Sequence, residues 1–465
     1  MNHTTDVKNT CVIITILGAF CFAMSFYHQC FVWAIFLFLI PNFFVIQQKK
    51  GGVFWYGFLW MISALTVHSS GVFYCIITKA SQWYGGVILM LIILFYYGMC
   101  GGIWWLLLGK VSKGHVIVQS GIRAFVTVLF FFFITHLSFF IVGLLQGYIL
   151  FFPLIPLAHF SYSWGLLLMQ NVWGVLFALC CLQELCMTYC RCIVVRSIVI
   201  NVTIAMLSCH YYQILVNSGI QEHYIGSLNS TEIVCFKGTN VQQHPYDRAH
   251  YWCEQMMRAQ ENTAVKLFIL PESSFPFAVN EYPYVTYMWQ KNILQSEDQL
   301  IVCGAHFRER DVLFNSFFVI NKCRITQRYD KLHLVPLFEY LPKFTLIQPV
   351  IKNLFFHKKE LFSQRKNESV QIISIDKMTF IPVLCSEIFW NDYSDFLQKL
   401  NRDDSISFIC LLRDDHFGLF PFYKLMLLAA RFRAIHEKRK ILYCSFLLAY
   451  LIENNGKLVE LKQFS

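Results

Sequence analysis

Long apolar segments fill the first 210 residues of the chain. Most of them reach the roughly 20 residues that an α-helix needs to cross a bilayer. The segments cover residues 11–28, 31–46, 53–78, 84–108, 120–146, 164–186 and 192–210. This pattern predicts an α-helical membrane domain over residues 1–210, with about seven transmembrane helices.

Basic residues lie in every second loop between these segments. Lys49 and Lys50 follow the second segment, Lys110 and Lys113 follow the fourth, and Arg191 follows the sixth. Loops rich in lysine and arginine normally stay in the cytoplasm. The N-terminus is therefore predicted to be cytoplasmic, and an odd number of crossings places the rest of the chain on the extracytoplasmic side.

The pattern changes near residue 211. Residues 211–230 are polar and predict a connector, whereas residues 231–465 alternate short apolar runs with helical stretches. Such alternation is typical of α/β or layered α+β domains. The predicted strands are 232–236, 266–270, 299–305, 315–321, 371–376, 378–384, 405–412 and 441–451, and the predicted helices are 246–260, with Tyr251, Met256 and Met257 facing inward, and 421–440. Residues 343–370 fit neither period and predict a long loop.

Composition supports a membrane protein and excludes other classes. Hydrophobic residues make up 56% of the 465 positions and charged residues only 14%, which excludes a disordered or an ordinary cytosolic chain. The net charge of +10 comes largely from bases beside the apolar segments, so it indicates lipid anchors rather than nucleic-acid binding. The cysteines after residue 210 include no Cys-x-x-Cys pair, and we expect neither a zinc site nor a disulfide framework.

Three reactive side chains lie at or after predicted strand ends. Glu272 lies in Leu-Pro-Glu-Ser at 270–273, Lys331 lies in Tyr-Asp-Lys-Leu-His-Leu-Val-Pro at 329–336, and Cys385 follows an apolar strand. Singly, each has an ordinary explanation: a solvated strand end, a surface lysine and a buried thiol. Together they supply a nucleophile, a carboxylate that can take the thiol proton and an ammonium that can stabilise an oxyanion.

The order and context of these residues resemble the nitrilase (carbon–nitrogen hydrolase) superfamily. Within it, the chain resembles the apolipoprotein N-acyltransferase family, in which membrane spans precede an exported nitrilase-like domain. Further matching motifs are Asn315-Ser316, Glu339-Tyr340-Leu341-Pro342, Asp414 with Phe417-Gly418, and Arg431-Phe432-Arg433-Ala434. The resemblance implies an αββα sandwich for residues 231–465, following the multi-span membrane domain.

The same resemblance implies roles for individual residues. It implies that Glu272 is the base, Lys331 the oxyanion stabiliser and Cys385 the nucleophile of a catalytic triad. It also implies that Glu339 and Glu387 are supporting carboxylates. No organic cofactor and no metal is expected.

The sequence departs from the family pattern at several positions. Ser386 stands where the family usually has Tyr, and Phe338 where it has Gly. Arg413 and His416 stand where Asn and Trp are usual. Because the sequence ends at Ser465, where the family continues into a last membrane span, we expect a shortened C-terminus without that span.

The resemblance implies an N-acyltransferase of the bacterial cytoplasmic (inner) membrane, multi-pass, with its catalytic domain on the periplasmic side. A fatty acyl chain would pass from a membrane phospholipid, through a cysteine thioester, to the N-terminal amine of the diacylglyceryl-cysteine of an apolipoprotein. Two alternatives stay open: a conjugal-transfer-associated homologue with altered or lost acyltransferase activity, and a membrane-tethered amidase that uses water as acceptor. No nucleic-acid partner is expected.

Overall fold

The computed structural model describes two compact units. The first contains Met1–Gly219 and Phe417–Leu428, and the second contains Ile220–His416 and Ala429–Ser465. The described residues are 2–27, 38–47, 52–79, 83–111, 115–141, 176–177, 180–181, 183, 224–225, 228–229, 232–236, 244–261, 265–294, 296, 299–321, 324–335, 339–340, 361–363, 370–375, 378–389, 406–414 and 422–464. The division at Gly219 falls inside the predicted connector, in which the two-residue strands β1 (Tyr224–Ile225) and β2 (Leu228–Asn229) pair antiparallel.

The first unit is helical. Its helices are α1 (Asn2–Met24), α2 (Ile40–Gln47), α3 (Val53–His68), α4 (Ser70–Lys79), α5 (Trp83–Lys110) and α6 (Val116–Ile141). Among the described residues, α5 alone is long and apolar enough to cross a membrane, with a mean hydropathy of 2.1. The predicted spans at 164–186 and 192–210 lie almost wholly outside the described residues, so the seven-span domain stays a prediction.

The apolar segment 53–78 forms two helices and not one, because the helix breaks at Ser69. The backbone of Ser69 leaves the helical region (φ −102°, ψ 15°), and α4 starts at the next residue. The Ser70 hydroxyl donates to the carbonyl of Val67 at 3.0 Å. Serine side chains compete in this way for backbone groups that would otherwise continue the helix.

Glycines bring α3 and α5 into close backbone contact. A Cβ atom added to Gly57 would lie 2.5 Å from the carbonyl oxygen of Gly101, and one added to Gly101 would lie 2.7 Å from that of Gly57. Aromatic side chains fill the buried space nearby, with the rings of Trp60 and Trp104 5.8 Å apart and those of Trp104 and Phe130 stacked at 4.5 Å. Close approach through small residues is typical of packed apolar helices.

The second unit contains two large β-sheets. The seven-stranded sheet has the order β15-β3-β4-β6-β7-β8, with β5 paired to β6, and the six-stranded sheet has the order β14-β13-β12-β11-β10-β9. The strands are β3 (Ile233–Phe236), β4 (Leu267–Ile269), β5 (Phe275–Ala278), β6 (Leu300–Glu309), β7 (Val312–Ile320), β8 (Ile325–Asp330), β9 (Ile373–Ile375), β10 (Met378–Leu384), β11 (Ser407–Leu411), β12 (Ile441–Cys444), β13 (Ala449–Ile452), β14 (Leu458–Glu460) and β15 (Lys462–Phe464).

Three helices accompany the strands along the chain. Helices α7 (Pro245–Glu261) and α8 (Pro283–Asn292) share one buried core with the seven-stranded sheet. Helix α9 (Phe422–Glu437) connects the parallel strands β11 and β12, and a crossover of this kind packs on a sheet face. The sheets touch each other where the Cys444 thiol lies 3.7 Å from the carbonyl of Ile269. Two sheets in contact, with α7 and α8 packed on the seven-stranded one, agree with this part of the predicted αββα layering.

Several predicted details of this unit are wrong. The strand expected at 441–451 is a hairpin of β12 and β13, because the Ser445 hydroxyl accepts hydrogen bonds from the main-chain N–H groups of Leu447 and Leu448 and turns the chain. Met257, expected to face inward on α7, is 46% exposed. Most of the predicted loop at 343–370 lies outside the described residues.

Candidate active site

Glu272 lies just after β4, at a backbone position that glycine makes possible. A Cβ atom on Gly304 of β6 would lie 2.6 Å from the Cα of Glu272. The backbone of Glu272 can therefore approach β6 this closely only because residue 304 has no side chain. The next residue, Ser273, has a φ of +54°, which turns the chain sharply. Glu272 is 3% exposed, and the ordinary explanation of a solvated strand end is therefore wrong.

Lys331 lies just after β8 and is buried with two carboxylates. Its Nζ lies 3.1 Å from Oε1 of Glu272 and 3.0 Å from Oε1 of Glu339. The antiparallel pairing of β7 and β8 fixes the position of Lys331 along the strand, because its main-chain N–H donates to the carbonyl of Asn315 at 2.8 Å. Lys331 is 1% exposed, which excludes the surface-lysine explanation.

Asn315 of β7 completes this cluster. Its Nδ2 donates to Oε1 of Glu272 at 2.9 Å and to Oε1 of Glu339 at 2.8 Å. The second oxygen of Glu339 accepts from the main-chain N–H of Val335 at 2.7 Å. Two carboxylates, one ammonium and one amide thus form a single hydrogen-bonded group, which we name the carboxylate cluster: Glu272, Glu339, Lys331 and Asn315.

Cys385 follows β10 and stands in a strained backbone conformation. Its φ is +48°, a region that residues other than glycine seldom adopt and that is common at functional sites. The residue is half-buried. Because β10 and β11 are parallel, with Leu384 opposite Leu411, the segment after β11 reaches the same sheet edge, and the Arg413 main-chain N–H donates to the cysteine sulfur.

Burial and the carboxylate cluster both affect the protonation of Cys385. Burial raises the pKa of the Cys385 thiol well above its usual value; Glu272 adds to this rise, and Lys331 opposes it. Burial disfavours the charged form of Lys331, but Glu272 and Glu339 outweigh it, and the pKa of Lys331 lies well above its usual value. At neutral pH the site therefore pairs a neutral thiol with an ammonium, and the thiol needs a base to become nucleophilic.

Glu387 ties the Lys331 segment to the Cys385 turn. It is fully buried, and its Oε1 accepts from the Tyr329 hydroxyl at 2.8 Å and from the main-chain N–H groups of Leu332 (2.7 Å) and His333 (3.1 Å). Its Oε2 accepts from the N–H of Leu384 at 2.9 Å. Burial raises the pKa of Glu387, opposed by the nearby His333 and Lys331. The carboxylate links two segments that are far apart in the sequence.

A second network of polar side chains lies at the end of β8. Asp330 accepts from the Ser316 hydroxyl at 2.5 Å and pairs with the guanidinium of Arg328 at 2.6 Å. The guanidinium also lies over the ring of Phe307, 3.7 Å from its centroid.

Among the described residues no group of three or more His, Cys, Asp or Glu side chains is arranged to hold a metal ion.

Sequence reasoning missed Gly304, and it named Asn315 only as part of a motif, without its contacts to Glu272 and Glu339. A glycine inside a strand pattern signals a close backbone approach, so Gly304 could have been singled out. Its partner in that approach depends on strand pairing and was not visible in the sequence. Glu272, Lys331 and Glu339, which the sequence did single out, meet in one place.

This chain resembles known proteins only weakly, and only in structure. The sequence matches no protein-family profile and no curated protein. Among solved structures, a glutamine-dependent NAD+ synthetase from Acinetobacter baumannii is similar over 50% of this chain, at 14% identity and a TM-score of 0.38, and the match spans only 43% of the synthetase.

Two further similar structures carry the nitrilase or CN-hydrolase superfamily in their names. An amidase of the nitrilase superfamily from Nesterenkonia AN1 matches 50% of this chain and 88% of its own, at 10% identity and a TM-score of 0.36. A CN-hydrolase superfamily protein from Xanthomonas campestris matches 50% and 86%, at 13% identity and a TM-score of 0.34. All three TM-scores lie below 0.5, and the strand order and sheet contacts described above define the fold without them.

Proposed function

We propose that this chain is a membrane-bound acyltransferase that carries a fatty acyl chain on Cys385. The observation that carries the proposal is the buried carboxylate cluster, in which Lys331 contacts both Glu272 and Glu339 beside a half-buried cysteine. A buried ammonium shared by two carboxylates is expensive to desolvate. Such groups cluster where they shift protonation for catalysis.

The first half-reaction forms a thioester. Glu272 takes the proton of the Cys385 thiol, and the thiolate attacks the ester carbonyl of a phospholipid. The Lys331 ammonium stabilises the negative charge on the carbonyl oxygen, because it is held in place before the reaction. As the tetrahedral intermediate collapses, the carbon–oxygen bond of the ester breaks and the departing glycerol oxygen takes the proton from Glu272.

The second half-reaction uses an amine as acceptor. The free N-terminal amine of a diacylglyceryl-cysteine attacks the thioester carbonyl, and Glu272 removes a proton from the attacking nitrogen. Collapse of the second intermediate breaks the carbon–sulfur bond, and the proton returns to the Cys385 sulfur. The products are an amide-linked acyl chain and the neutral thiol with which the cycle started.

The helical unit supports a membrane setting for both substrates. Helices α1, α5 and α6 expose many large apolar side chains, among them Leu17, Phe95 and Phe125. Soluble proteins rarely expose contiguous apolar surface on this scale, and lipid is the solvent that such surfaces fit. Together with the basic residues in alternate loops, this favours a multi-pass protein of the bacterial cytoplasmic membrane whose second unit lies outside the cytoplasm.

A transfer assay tests the proposal. The full-length protein in phospholipid vesicles would receive a phospholipid with a radiolabelled acyl chain and a synthetic diacylglyceryl-cysteine peptide. We expect labelled peptide with wild type and with Cys253→Ala, a cysteine on α7, and none with Cys385→Ala. Labelled peptide from Cys385→Ala would contradict the proposal. Label released only as free fatty acid would favour the amidase alternative, and no turnover in wild type would favour the conjugation-associated homologue.

A further inference from the structure

The amide of Asn315 is oriented towards the two carboxylates although this leaves its own oxygen without a hydrogen bond. Nδ2 donates to Oε1 of both Glu272 and Glu339. Oδ1 is buried and has no hydrogen-bond partner among the described residues. Buried polar atoms are normally satisfied, and an exception needs a reason. Turning the amide over would place Oδ1 against two carboxylate oxygens, so the carboxylates determine its orientation.

Charge counting explains why the carboxylates need this amide. Lys331 carries one positive charge and contacts two carboxylates, which leaves one negative charge uncompensated in a buried site. A second cation would neutralise the cluster and weaken Glu272 as a base. A neutral donor instead gives each carboxylate a hydrogen bond and adds no charge.

We propose that Asn315 is a positioning residue that holds the carboxylate of Glu272 in line with that of Glu339, so that Glu272 is placed to take the proton of Cys385. The inference rests on the proposed function, since it assumes that Cys385 is activated by Glu272. Asn315 acts through the carboxylates. Its main-chain carbonyl also accepts from the Lys331 N–H at 2.8 Å, which fixes the lysine beside the same two groups.

Other ionisable groups facing this cluster come from several elements. Electrostatic interactions connect Glu272 and Lys331 with Cys385 after β10, with Cys410 on β11 and, for Lys331, with Glu387. None of these is altered by changing Asn315. A change in pH dependence caused by substituting Asn315 therefore reports on the amide's contacts with Glu272 and Glu339.

The reactivity of Cys385 towards iodoacetamide measures this effect without any acyl substrate. The full-length protein in detergent would be alkylated over a range of pH, and the rate at the Cys385 peptide followed by mass spectrometry. The variants are Asn315→Leu, Asn315→Asp and the control Asn280→Leu, because Asn280 also makes two side-chain hydrogen bonds, to the backbone of Arg308, away from the cluster. Thermal unfolding would establish that each variant is folded.

We expect the rise of the Cys385 alkylation rate with pH to move to higher pH in Asn315→Leu. At the acidic end of the pH range the rate should be about 10- to 100-fold lower than in wild type, because two hydrogen bonds to charged groups are lost. Asn315→Asp, which is nearly the same size, should move this rise further because it adds a third carboxylate. Asn280→Leu should match wild type.

A loss of rate that is equal at every pH, or an unchanged profile in both Asn315 variants, would overturn the inference while leaving the function intact. If Cys385 of wild type reacts no faster than the buried Cys410, the proposed function fails as well. If Asn315→Leu does not fold, the profile of Asn315→Asp decides between the same outcomes.

Discussion

The two units of this protein place their apolar and polar side chains in opposite ways. In the helical unit, large apolar side chains lie on the outside, with Trp83 68% and Phe95 60% exposed on α5. In the sheet unit, β7 and β10 are buried on both faces, and the most polar group of residues, around Lys331, lies inside. The first arrangement suits lipid as a solvent, and the second suits water.

Because their side chains are arranged in opposite ways, the interiors of the two units have different roles. The helical unit is held by close helix contacts, in which glycines bring the backbones of α3 and α5 together. The sheet unit has a large apolar core and can hold a charged cluster whose members satisfy one another. Substitutions inside the two units should therefore have different consequences: loss of activity in the sheet unit, and loss of assembly in the helical unit.

The largest effect is expected from Lys331→Met. The variant leaves Glu272 and Glu339 buried without their cation, which should cost about 3–5 kcal/mol of stability, and should lower acyl transfer by roughly 10²–10³-fold. Because the pKa of Lys331 is raised on folding, its contribution is complete at neutral pH and is lost as the pH rises through that raised pKa. Unfolding at several pH values, together with transfer assays, measures both effects.

Lys266→Met is the matched control for this lysine. Lys266 pairs with Glu232 at 2.8 Å, but its side chain is 46% exposed, and exposed pairs contribute about 0–1 kcal/mol. Equal loss of stability in the two variants would contradict the buried cluster.

A smaller effect is expected from Gly304→Ala. The new methyl group would lie 2.6 Å from the Cα of Glu272 and would displace the backbone of this proposed base. We expect about 1–3 kcal/mol of destabilisation and a fall in transfer rate of roughly 10²-fold, since misplacement of about 1 Å can cost that much. A variant with lower stability but a wild-type rate would exclude this role for Gly304.

The smallest effect on chemistry is expected from Gly101→Ala in the helical unit. Its methyl group would lie 2.5 Å from the Cβ of Met61 and 2.7 Å from the carbonyl of Gly57, forcing α3 and α5 apart. We expect about 1–3 kcal/mol of destabilisation in detergent, with thioester formation retained in the folded fraction. Gly121→Ala, whose methyl group meets nothing within 4 Å, should behave as wild type. Loss of thioester formation with unchanged stability would contradict the separation of the two units.

The sequence predicted local structure well where one pattern dominates. The bounds of β10 agree with the prediction, and those of β3 and α7 agree within one residue, because β3 and β10 are short, mainly apolar runs and α7 has one apolar face. Helix α8 was missed because its ten residues, starting at Pro283, mix tyrosines with polar residues and have no clear apolar stripe. The break at Ser69 was missed because hydropathy does not register competition for backbone hydrogen bonds.

The candidate site was only partly predictable. The resemblance indicated Glu272, Lys331, Glu339 and Cys385, but the burial of Lys331 follows from the pairing of β7 with β8. The approach of Gly304 to Glu272 likewise depends on how the segment after β4 lies against β6. Contacts between residues this far apart in the chain are set by tertiary packing, and a single sequence carries no direct record of them.

The central claim is that Cys385 carries the acyl chain, and its covalent adduct tests this most directly. The full-length protein would be incubated with phospholipid but no amine acceptor, digested, and the Cys385 peptide analysed by mass spectrometry before and after hydroxylamine. We predict one acyl chain on the Cys385 peptide of wild type, removed by hydroxylamine because it is a thioester. An acyl chain on another residue, or an unmodified Cys385 peptide in protein that transfers acyl chains, would contradict the claim.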